Sequence, residues 1–298
     1  MNPAPAPEMV SSPEEQLIRF GPHLRLVATL TRPRAKSDHP ILLLMNAGVV
    51  SRAGPHRFNV KLARAFAANG FPALRVDLSG LGDSPAGFGA SDVGSQWVAD
   101  LQAAMDAAEF ATGTDRFLLF GICLGAGVGL AAARVDNRIV GCALYDHYDF
   151  MFPTWRTRYI EVRTHLYQKG LRFILEGALR RVRRMSRRDA LRKARGPFAD
   201  ATPKSVGRAE LAEQLQGVLA HGTSVRFIFS GYVFDRYNYS GQFEDGFRRY
   251  KLTGRLEAEL LPWVDHTITT LAAQRGLISY LLQWASSQHR DRESAAGT

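Results

Sequence analysis

A short apolar run that breaks into a glycine-rich turn limits the possible folds of this chain more than any other stretch. The run Phe117-Leu-Leu-Phe120 is too short for a helix, and it leads into Gly-Ile-Cys-Leu-Gly over residues 121–125. Residues 127–134 are then typical of a helix. The predicted order is strand, sharp turn and helix, with Cys123 at the centre of the turn.

A turn of this shape holds its central side chain at a strained backbone position, and small residues on either side let the strand and the helix pass closely. Serine is the usual central residue of such a nucleophile elbow, and this chain has Cys123 instead. A buried structural cysteine beside a glycine-rich turn is the plainer alternative, because free cysteine is among the most buried residue types. Other motifs in the chain are needed to distinguish a nucleophile elbow from a buried structural cysteine.

Strands and helices alternate on both sides of this turn. Short apolar runs predict strands, and apolar residues at helical spacing predict helices. The predicted strands are residues 16–20, 24–31, 40–45, 71–76, 117–120, 139–145, 225–229 and 256–261, and the predicted helices are 56–69, 96–110, 125–134 and 270–286. Because crossover helices join parallel strands, we predict an α/β fold with a mostly parallel sheet flanked by helices.

The alternation stops between residues 150 and 220, where the pattern predicts helices only. A helical block inserted between two strands is expected to cover the strand ends, where parallel sheets hold their sites. We therefore divide the chain into a disordered lead-in over 1–15, a core formed by 16–149 and 221–288, and an inserted helical cap over 150–220.

The overall composition is that of an ordinary globular protein. Of the 298 residues, 46% are apolar and 22% are charged, and no run of about 18 apolar residues predicts a transmembrane helix. The proline-rich start lacks the order of a secretion signal, and two cysteines are too few for a disulfide scaffold. We expect a cytoplasmic protein.

A reactive thiol needs a base, and the base needs a carboxylate that orients it. His266 directly follows the last predicted strand, and Asp235 follows the strand 225–229 by a short loop. We therefore predict that Cys123, His266 and Asp235 form a catalytic triad. Asp146 and Asp245 remain alternative acids, because either of them can reach the same histidine in some geometries.

Acyl transfer also needs N–H donors that are fixed in advance around the developing oxyanion. Leu124, which follows the nucleophile, offers one backbone N–H, and the loop after Met45 offers a second from Gly48 or Val49. This machinery requires neither a metal nor an organic cofactor. The glycine-rich segment 77–84 also lacks the third glycine of a dinucleotide fingerprint.

Three segments together resemble the α/β-hydrolase superfamily: Arg75-Val-Asp-Leu-Ser-Gly-Leu-Gly-Asp-Ser84, Phe120-Gly-Ile-Cys-Leu-Gly-Ala126 and Asp265-His-Thr267. The resemblance extends over residues 16–288. More narrowly, the segments around residues 57–72 and 237–242 are loosely similar to bacterial exosortase-associated hydrolases and thioesterase-like enzymes.

The resemblance implies the α/β-hydrolase fold, acyl-transfer chemistry, and triad roles for Cys123, Asp235 and His266 in the family's order of nucleophile, acid and histidine. Two departures are visible. Cysteine replaces the usual serine, as in dienelactone hydrolases and some carrier-bound thioesterases. Asn46-Ala47-Gly48 replaces the usual His-Gly of the oxyanion loop.

A cysteine nucleophile changes the expected substrate. Attack of a thiolate on a thioester gives another thioester of nearly equal energy, so thioesters and activated esters are favoured over amides. We expect a thioesterase-like hydrolase of carrier- or CoA-bound acyl groups. An acyltransferase or cyclase that passes the acyl group to an alcohol or amine is one alternative, and a non-catalytic binding protein on a hydrolase scaffold is another.

Positive charge concentrates in the predicted cap. Residues 156–195 contain fourteen Lys or Arg and three acids, whereas the rest of the chain is nearly neutral. This charge predicts an anionic partner, such as a docked acyl carrier protein, CoA phosphates or a lipid surface contacted peripherally, while a solvated basic face is the plainer reading. Nucleic acid is not expected, because no binding module accompanies the charge. Phe152, Trp155 and Tyr159 are candidates for lining an acyl pocket, although such aromatics more often pack in a core.

Overall fold

The computed structural model describes residues 14–45, 48–87, 92–164, 166–167 and 207–296, and these form one eight-stranded sheet with helices on both faces. The strands are β1 (Glu14–Phe20), β2 (Leu26–Arg32), β3 (Ile41–Leu44), β4 (Ala73–Asp77), β5 (Phe117–Ile122), β6 (Ile139–Tyr145), β7 (Ser224–Ser230) and β8 (Leu256–Leu261). Their order across the sheet is β1-β2-β4-β3-β5-β6-β7-β8. β2 pairs antiparallel with both β1 and β4, and all other neighbours are parallel.

The most apolar predicted runs form the middle of this sheet. Every residue of β3, β5 and β6 is buried, because helices cover both of their faces. The edge strand β1 is mostly exposed, and four of its seven residues are polar. The continuous apolar runs therefore identified the central strands correctly.

The helices are α1 (Phe58–Ala68), α2 (Val93–Thr112), α3 (Leu124–Ala133), α4 (residues 155–164), α5 (Arg208–Ala220), α6 (Gln242–Phe247) and α7 (Leu271–Ala296). α1 and α7 pack on one face of the sheet around Phe66 and Trp284. α2, α3 and α5 pack on the other face around Leu101, Leu130 and Leu215. None of the described helices combines the length and the apolar composition needed to cross a membrane.

The predicted fold class is confirmed: the architecture is an α/β-hydrolase sheet with an insertion between β6 and β7. α4 and α5 lie within the predicted cap 150–220. Residues 168–206, which include most of the predicted basic cluster, lie outside the described residues, as do residues 1–13 of the lead-in. The predicted domain boundaries stay predictions.

Candidate active site

Cys123 lies between the end of β5 and the start of α3, in the sharp turn that the sequence predicts, and its side chain is half-buried. Its backbone has φ 55° and ψ −111°, a conformation that residues other than glycine rarely adopt. The Cys123 N–H donates to the Tyr145 carbonyl at 2.8 Å, which anchors the turn to β6. A Cβ on Gly121 would lie 2.6 Å from the Gly125 carbonyl oxygen, so the close approach of strand and helix requires glycine there.

His266 and Asp146 form the second part of the site. His266 Nδ1 lies 2.8 Å from Asp146 Oδ2, and the imidazole also contacts the Cys123 side chain. Asp146 directly follows β6, the neighbour of β5, and His266 lies in the loop between β8 and α7. The three side chains therefore form one series of contacts, from thiol to imidazole to carboxylate, at the carboxyl ends of parallel strands.

The Asp146 carboxylate has hydrogen-bond partners besides His266. Its side chain is fully buried, and it accepts hydrogen bonds from the Ser230 N–H at 2.8 Å and the Ser230 hydroxyl at 2.7 Å. Ser230 is the last residue of β7, so the ends of two neighbouring strands fix one carboxylate. Asp146 also has a φ of 49°, in the left-handed region that aspartate tolerates better than most residues. The carboxylate thus has one fixed orientation towards His266.

The prediction that Asp235 orients His266 is wrong. Asp235 is exposed in a loop five residues beyond the end of β7, whereas Asp146 follows its own strand without a gap. Asp245, the other alternative acid, lies on α6 and pairs with Arg248 at 2.6 Å. Of the three candidate acids, Asp146 is the one that the fold brings to the histidine.

These contacts make His266 a strong base. The hydrogen bond with Asp146 and the contact with Cys123 raise the pKa of His266 to about 9, against the opposing effect of partial burial. An imidazole with this pKa retains a proton taken from the thiol. Because Nδ1 faces Asp146, Nε2 is left for Cys123.

Two tyrosine rings that the sequence patterns did not single out lie against His266. The ring centroids of Tyr148 and Tyr232 are 5.6 Å and 5.7 Å from the imidazole, within range of a cation–π attraction for a protonated ring. Burial, with the nearby Cys123 and Asp146, raises the pKa of Tyr148 to about 12, so its hydroxyl stays neutral and can donate a hydrogen bond. The sequence offered one signal for these tyrosines, namely their position near a strand end. Tyr148 lies two residues beyond Asp146, which follows β6, and Tyr232 lies two residues beyond Ser230, which ends β7.

Asp265 organises the loop that carries His266. Its Oδ1 accepts hydrogen bonds from the Thr267 N–H at 2.9 Å and from the Thr269 hydroxyl at 3.0 Å. The Tyr145 hydroxyl donates to the Asp265 carbonyl at 2.7 Å. The Asp265 carboxylate is therefore engaged by its own loop.

The predicted oxyanion donors lie at two turns near the same edge of the sheet. Leu124 begins α3, so its N–H belongs to the first helical turn, where N–H groups have no intrahelical acceptor and the helix dipole favours negative charge. Gly48 has a φ of 54°, and Val49 is 87% exposed. Residues 46–47 lie outside the described residues. The oxyanion roles of Leu124, Gly48 and Val49 stay predictions.

The loop that follows Gly48 is tied to the end of β4. The Arg52 N–H donates to Asp77 Oδ1 at 2.6 Å, and the Arg52 guanidinium contacts both Asp77 and Asp83. A Cβ on Gly82 would overlap the buried Asp77 carboxylate. Gly82 therefore makes room for this anchor.

Among the described ring contacts of His266, none involves the three candidate substrate-binding aromatics. Phe152 is half-buried against Phe247, with ring centroids 5.6 Å apart, so it contributes to packing. Trp155 is 81% exposed and Tyr159 is 57% exposed. A substrate-binding role for these residues stays a prediction, and the described rings that contact His266 are instead Tyr148 and Tyr232.

In the part of the chain that the structure describes, no group of three His, Cys, Asp or Glu side chains is arranged so that it could hold a metal ion.

A family model described as serine aminopeptidase, S33 matches residues 49–145. The matched segment runs from the loop before α1 to the end of β6 and includes the Cys123 turn, which is about a third of the chain. No curated protein matches the sequence.

Several solved structures share the architecture at low sequence identity. An esterase from Pyrococcus furiosus superposes with a TM-score of 0.61 at 13% identity, over 93% of this chain and 92% of the esterase. An alpha-beta serine hydrolase homologue from Coxiella burnetii gives 0.53 at 14% identity, over 92% and 98%. A proline iminopeptidase from Mycobacterium smegmatis gives 0.51 at 16% identity, also over 92% and 98%.

At these identities the superpositions establish the fold alone. The chain has the α/β-hydrolase fold, and the family-model match over its central strands supports an α/β-hydrolase-type enzyme.

Proposed function

We propose that this protein is an acyl-transfer enzyme in which Cys123 is the nucleophile, His266 carries the proton and Asp146 orients the histidine. The observation that carries the proposal is the unbroken contact from thiol to imidazole to buried carboxylate. A cysteine that only fills space in the core is not expected to contact a histidine whose pKa is raised to about 9.

The reaction divides into two acyl transfers. His266 takes the thiol proton, and the Cys123 sulfur attacks the substrate carbonyl carbon to form a tetrahedral oxyanion, which the Leu124 N–H stabilises. When this intermediate collapses, the bond to the leaving group breaks and the imidazolium returns its proton to that group. Water then attacks the Cys123 thioester with His266 as the base, which releases the acid and restores the thiol.

Thioesters are the substrate class that this nucleophile favours. Cys123 exchanges one thioester for another, so the acylation step is nearly balanced in energy, whereas an amide substrate has a far poorer leaving group. Carrier-bound or CoA-bound acyl groups are therefore the expected substrates, and the loose similarity to exosortase-associated hydrolases is compatible with them. The matched family model is described as serine aminopeptidase, and the similar structures include an esterase and a proline iminopeptidase.

The test compares one acyl group presented as a thioester, an oxoester and an amide. We expect kcat/KM for the thioester to exceed that for the oxoester by about tenfold or more, with the amide slowest. Mass analysis of the product with and without an added alcohol or amine distinguishes a hydrolase from an acyltransferase. A clear preference for the amide would contradict the proposed substrate class.

A further inference from the structure

We propose that a cationic pocket, lined in part by residues of the predicted cap, binds the phosphorylated adenosine end of a coenzyme A thioester. The inference rests on the proposed function, and it deepens it by naming the carrier. The pocket has a volume of about 740 Å³. Its lining includes Arg156, Arg208, Arg248 and Arg249, together with Trp155 and Asp245.

The pocket carries an excess of positive charge. Asp245 is its one carboxylate among the described lining residues, and it is already engaged by Arg248 at 2.6 Å and by the Tyr239 hydroxyl at 2.8 Å. Within the described part of the chain, no carboxylate forms an ion pair with Arg208 or Arg249, and Asp245 attracts Arg156 without a direct ion pair. Like charges held close together repel one another, so a bound anion would stabilise the arrangement.

These three unpaired arginines are held in place by aromatic rings. Their guanidinium carbons lie over ring centroids at 4.5 Å for Arg156 on Tyr239, 4.4 Å for Arg208 on Phe152 and 4.7 Å for Arg249 on Tyr250. Stacking uses the face of a guanidinium and leaves the N–H groups at its edge. One edge N–H of Arg208 donates to the Gly246 carbonyl at 3.4 Å and one of Arg249 donates to the Tyr250 hydroxyl, so the remaining edge N–H groups are those left for a ligand. Planar donor pairs of this kind match phosphate oxygens in a bidentate manner.

Trp155 indicates which class of anion the pocket binds. Its indole lines the same pocket and is 81% exposed, although an isolated large aromatic gains stability by burial. An exposed aromatic beside a cluster of arginines is the combination that holds a nucleobase by stacking and its phosphates by charge. Among acyl thioesters, this combination fits the adenosine phosphates of coenzyme A.

The volume of the pocket is compatible with a small ligand. Its volume falls within the range of about 300–1,000 Å³ that small-molecule sites occupy. A short segment of the chain also links the pocket to the candidate active site. The segment that begins at Asp146 passes Tyr148, which lies against His266, and reaches Trp155 and Arg156 within ten residues.

Calorimetric titration with adenosine 3′,5′-bisphosphate tests the pocket without requiring any turnover. We expect saturable binding to the full chain, and a loss of affinity of about tenfold or more in the double variant Arg208→Gln, Arg249→Gln. Trp155→Ala should weaken binding about fivefold or more. The matched control is Arg19→Gln, which removes one exposed positive charge on β1, outside the pocket.

A kinetic measurement tests whether the pocket contributes to turnover at the active site. The ratio of kcat/KM for an acyl-CoA to kcat/KM for the N-acetylcysteamine thioester of the same acyl group should fall about tenfold in the double variant and stay constant in Arg19→Gln. If neither thioester turns over while the bisphosphate binds through the arginines, the proposed function fails and the pocket assignment stands.

Absence of saturable bisphosphate binding, in variants and wild type that show the same thermal unfolding, would overturn the proposal. So would binding that is equal in the wild type and the double variant. Arginine-dependent binding to anionic phosphatidylglycerol vesicles or to a phosphopantetheine-bearing carrier protein, without bisphosphate binding, would overturn it in favour of a membrane or a protein partner.

Discussion

Cys123 and Cys142 carry the same thiol in two adjoining regions of one sheet, yet their surroundings differ in every respect that matters for reactivity. Cys142 lies within β6, fully buried, and burial raises its pKa to about 12. Cys123 is half-buried in a strained turn and contacts an imidazole that a fixed carboxylate orients. The reactivity of a cysteine in this fold is therefore decided by the strand end at which it lies and by the groups that meet it there.

Removing each thiol in turn is the most sensitive test of the difference between Cys123 and Cys142. Cys123→Ala should lower thioester turnover by about 10³-fold or more, because the nucleophile is lost. Cys142→Ala should keep turnover within about twofold and lower the free energy of unfolding by about 1–3 kcal/mol, because it leaves a cavity in the core. Steady-state kinetics and denaturant unfolding of the two variants measure both effects, and equal losses of turnover would refute the distinction.

The two aspartates test whether the partners of Cys123 account for its reactivity. Asp146→Asn should lower kcat about 10²- to 10⁴-fold, because an amide can donate to Nδ1 and favours the wrong tautomer of His266. Asp235→Asn is the matched control, since Asp235 is exposed and away from His266, and its kcat should stay within about twofold of the wild type. A larger loss in Asp235→Asn than in Asp146→Asn would return the triad role to Asp235.

Alkylation compares the two thiols directly in the folded wild type. Iodoacetamide at neutral pH should modify Cys123 and leave Cys142 unmodified until the protein is denatured, because alkylation requires an accessible thiolate. Replacing the imidazole in His266→Ala should slow modification of Cys123 about tenfold or more. Peptide mapping after timed quenching gives both rates. An unchanged Cys123 rate in His266→Ala would instead support a non-catalytic binding protein on this fold.

The raised pKa of His266 also predicts how stability depends on pH. The pKa is about 9 in the folded protein against 6.5 for an ordinary histidine, so the imidazolium stabilises the fold fully below pH 6.5. This contribution is lost as the pH rises from 6.5 through about 9. We expect the wild type to lose on the order of 2 kcal/mol more stability over this interval than Asp146→Asn does. Unfolding curves at pH 6 and pH 9 measure the difference, and parallel losses in the two proteins would contradict it.

The fold was predictable because its signals are local. Apolar runs such as 117–120 and 139–145 marked the buried strands, and the glycines around Cys123 marked the elbow. Cys123 and His266 could be proposed as site residues for the same reason, since each lies next to a strand whose end is visible in the sequence.

The acid was predicted wrongly because its position depends on which strands are neighbours. β6 lies between β5 and β7, so the residue that follows β6 faces both the elbow and the end of β7. The left-handed backbone of Asp146 and the two hydrogen bonds from Ser230 then fix the carboxylate. Neither the strand order nor this backbone conformation leaves a pattern in a single sequence. The rings of Tyr148 and Tyr232 reach His266 through the same long-range geometry.

The most direct test of the central claim is the intact mass of the protein after brief exposure to a panel of short- and long-chain acyl thioesters, quenched in acid. The account predicts a mass increase of one acyl group that is present in the wild type and in Cys142→Ala and absent in Cys123→Ala. Asp146→Asn should accumulate the adduct more slowly. An adduct that persists in Cys123→Ala, or none at any chain length in the wild type, would contradict the assignment of Cys123 as the nucleophile.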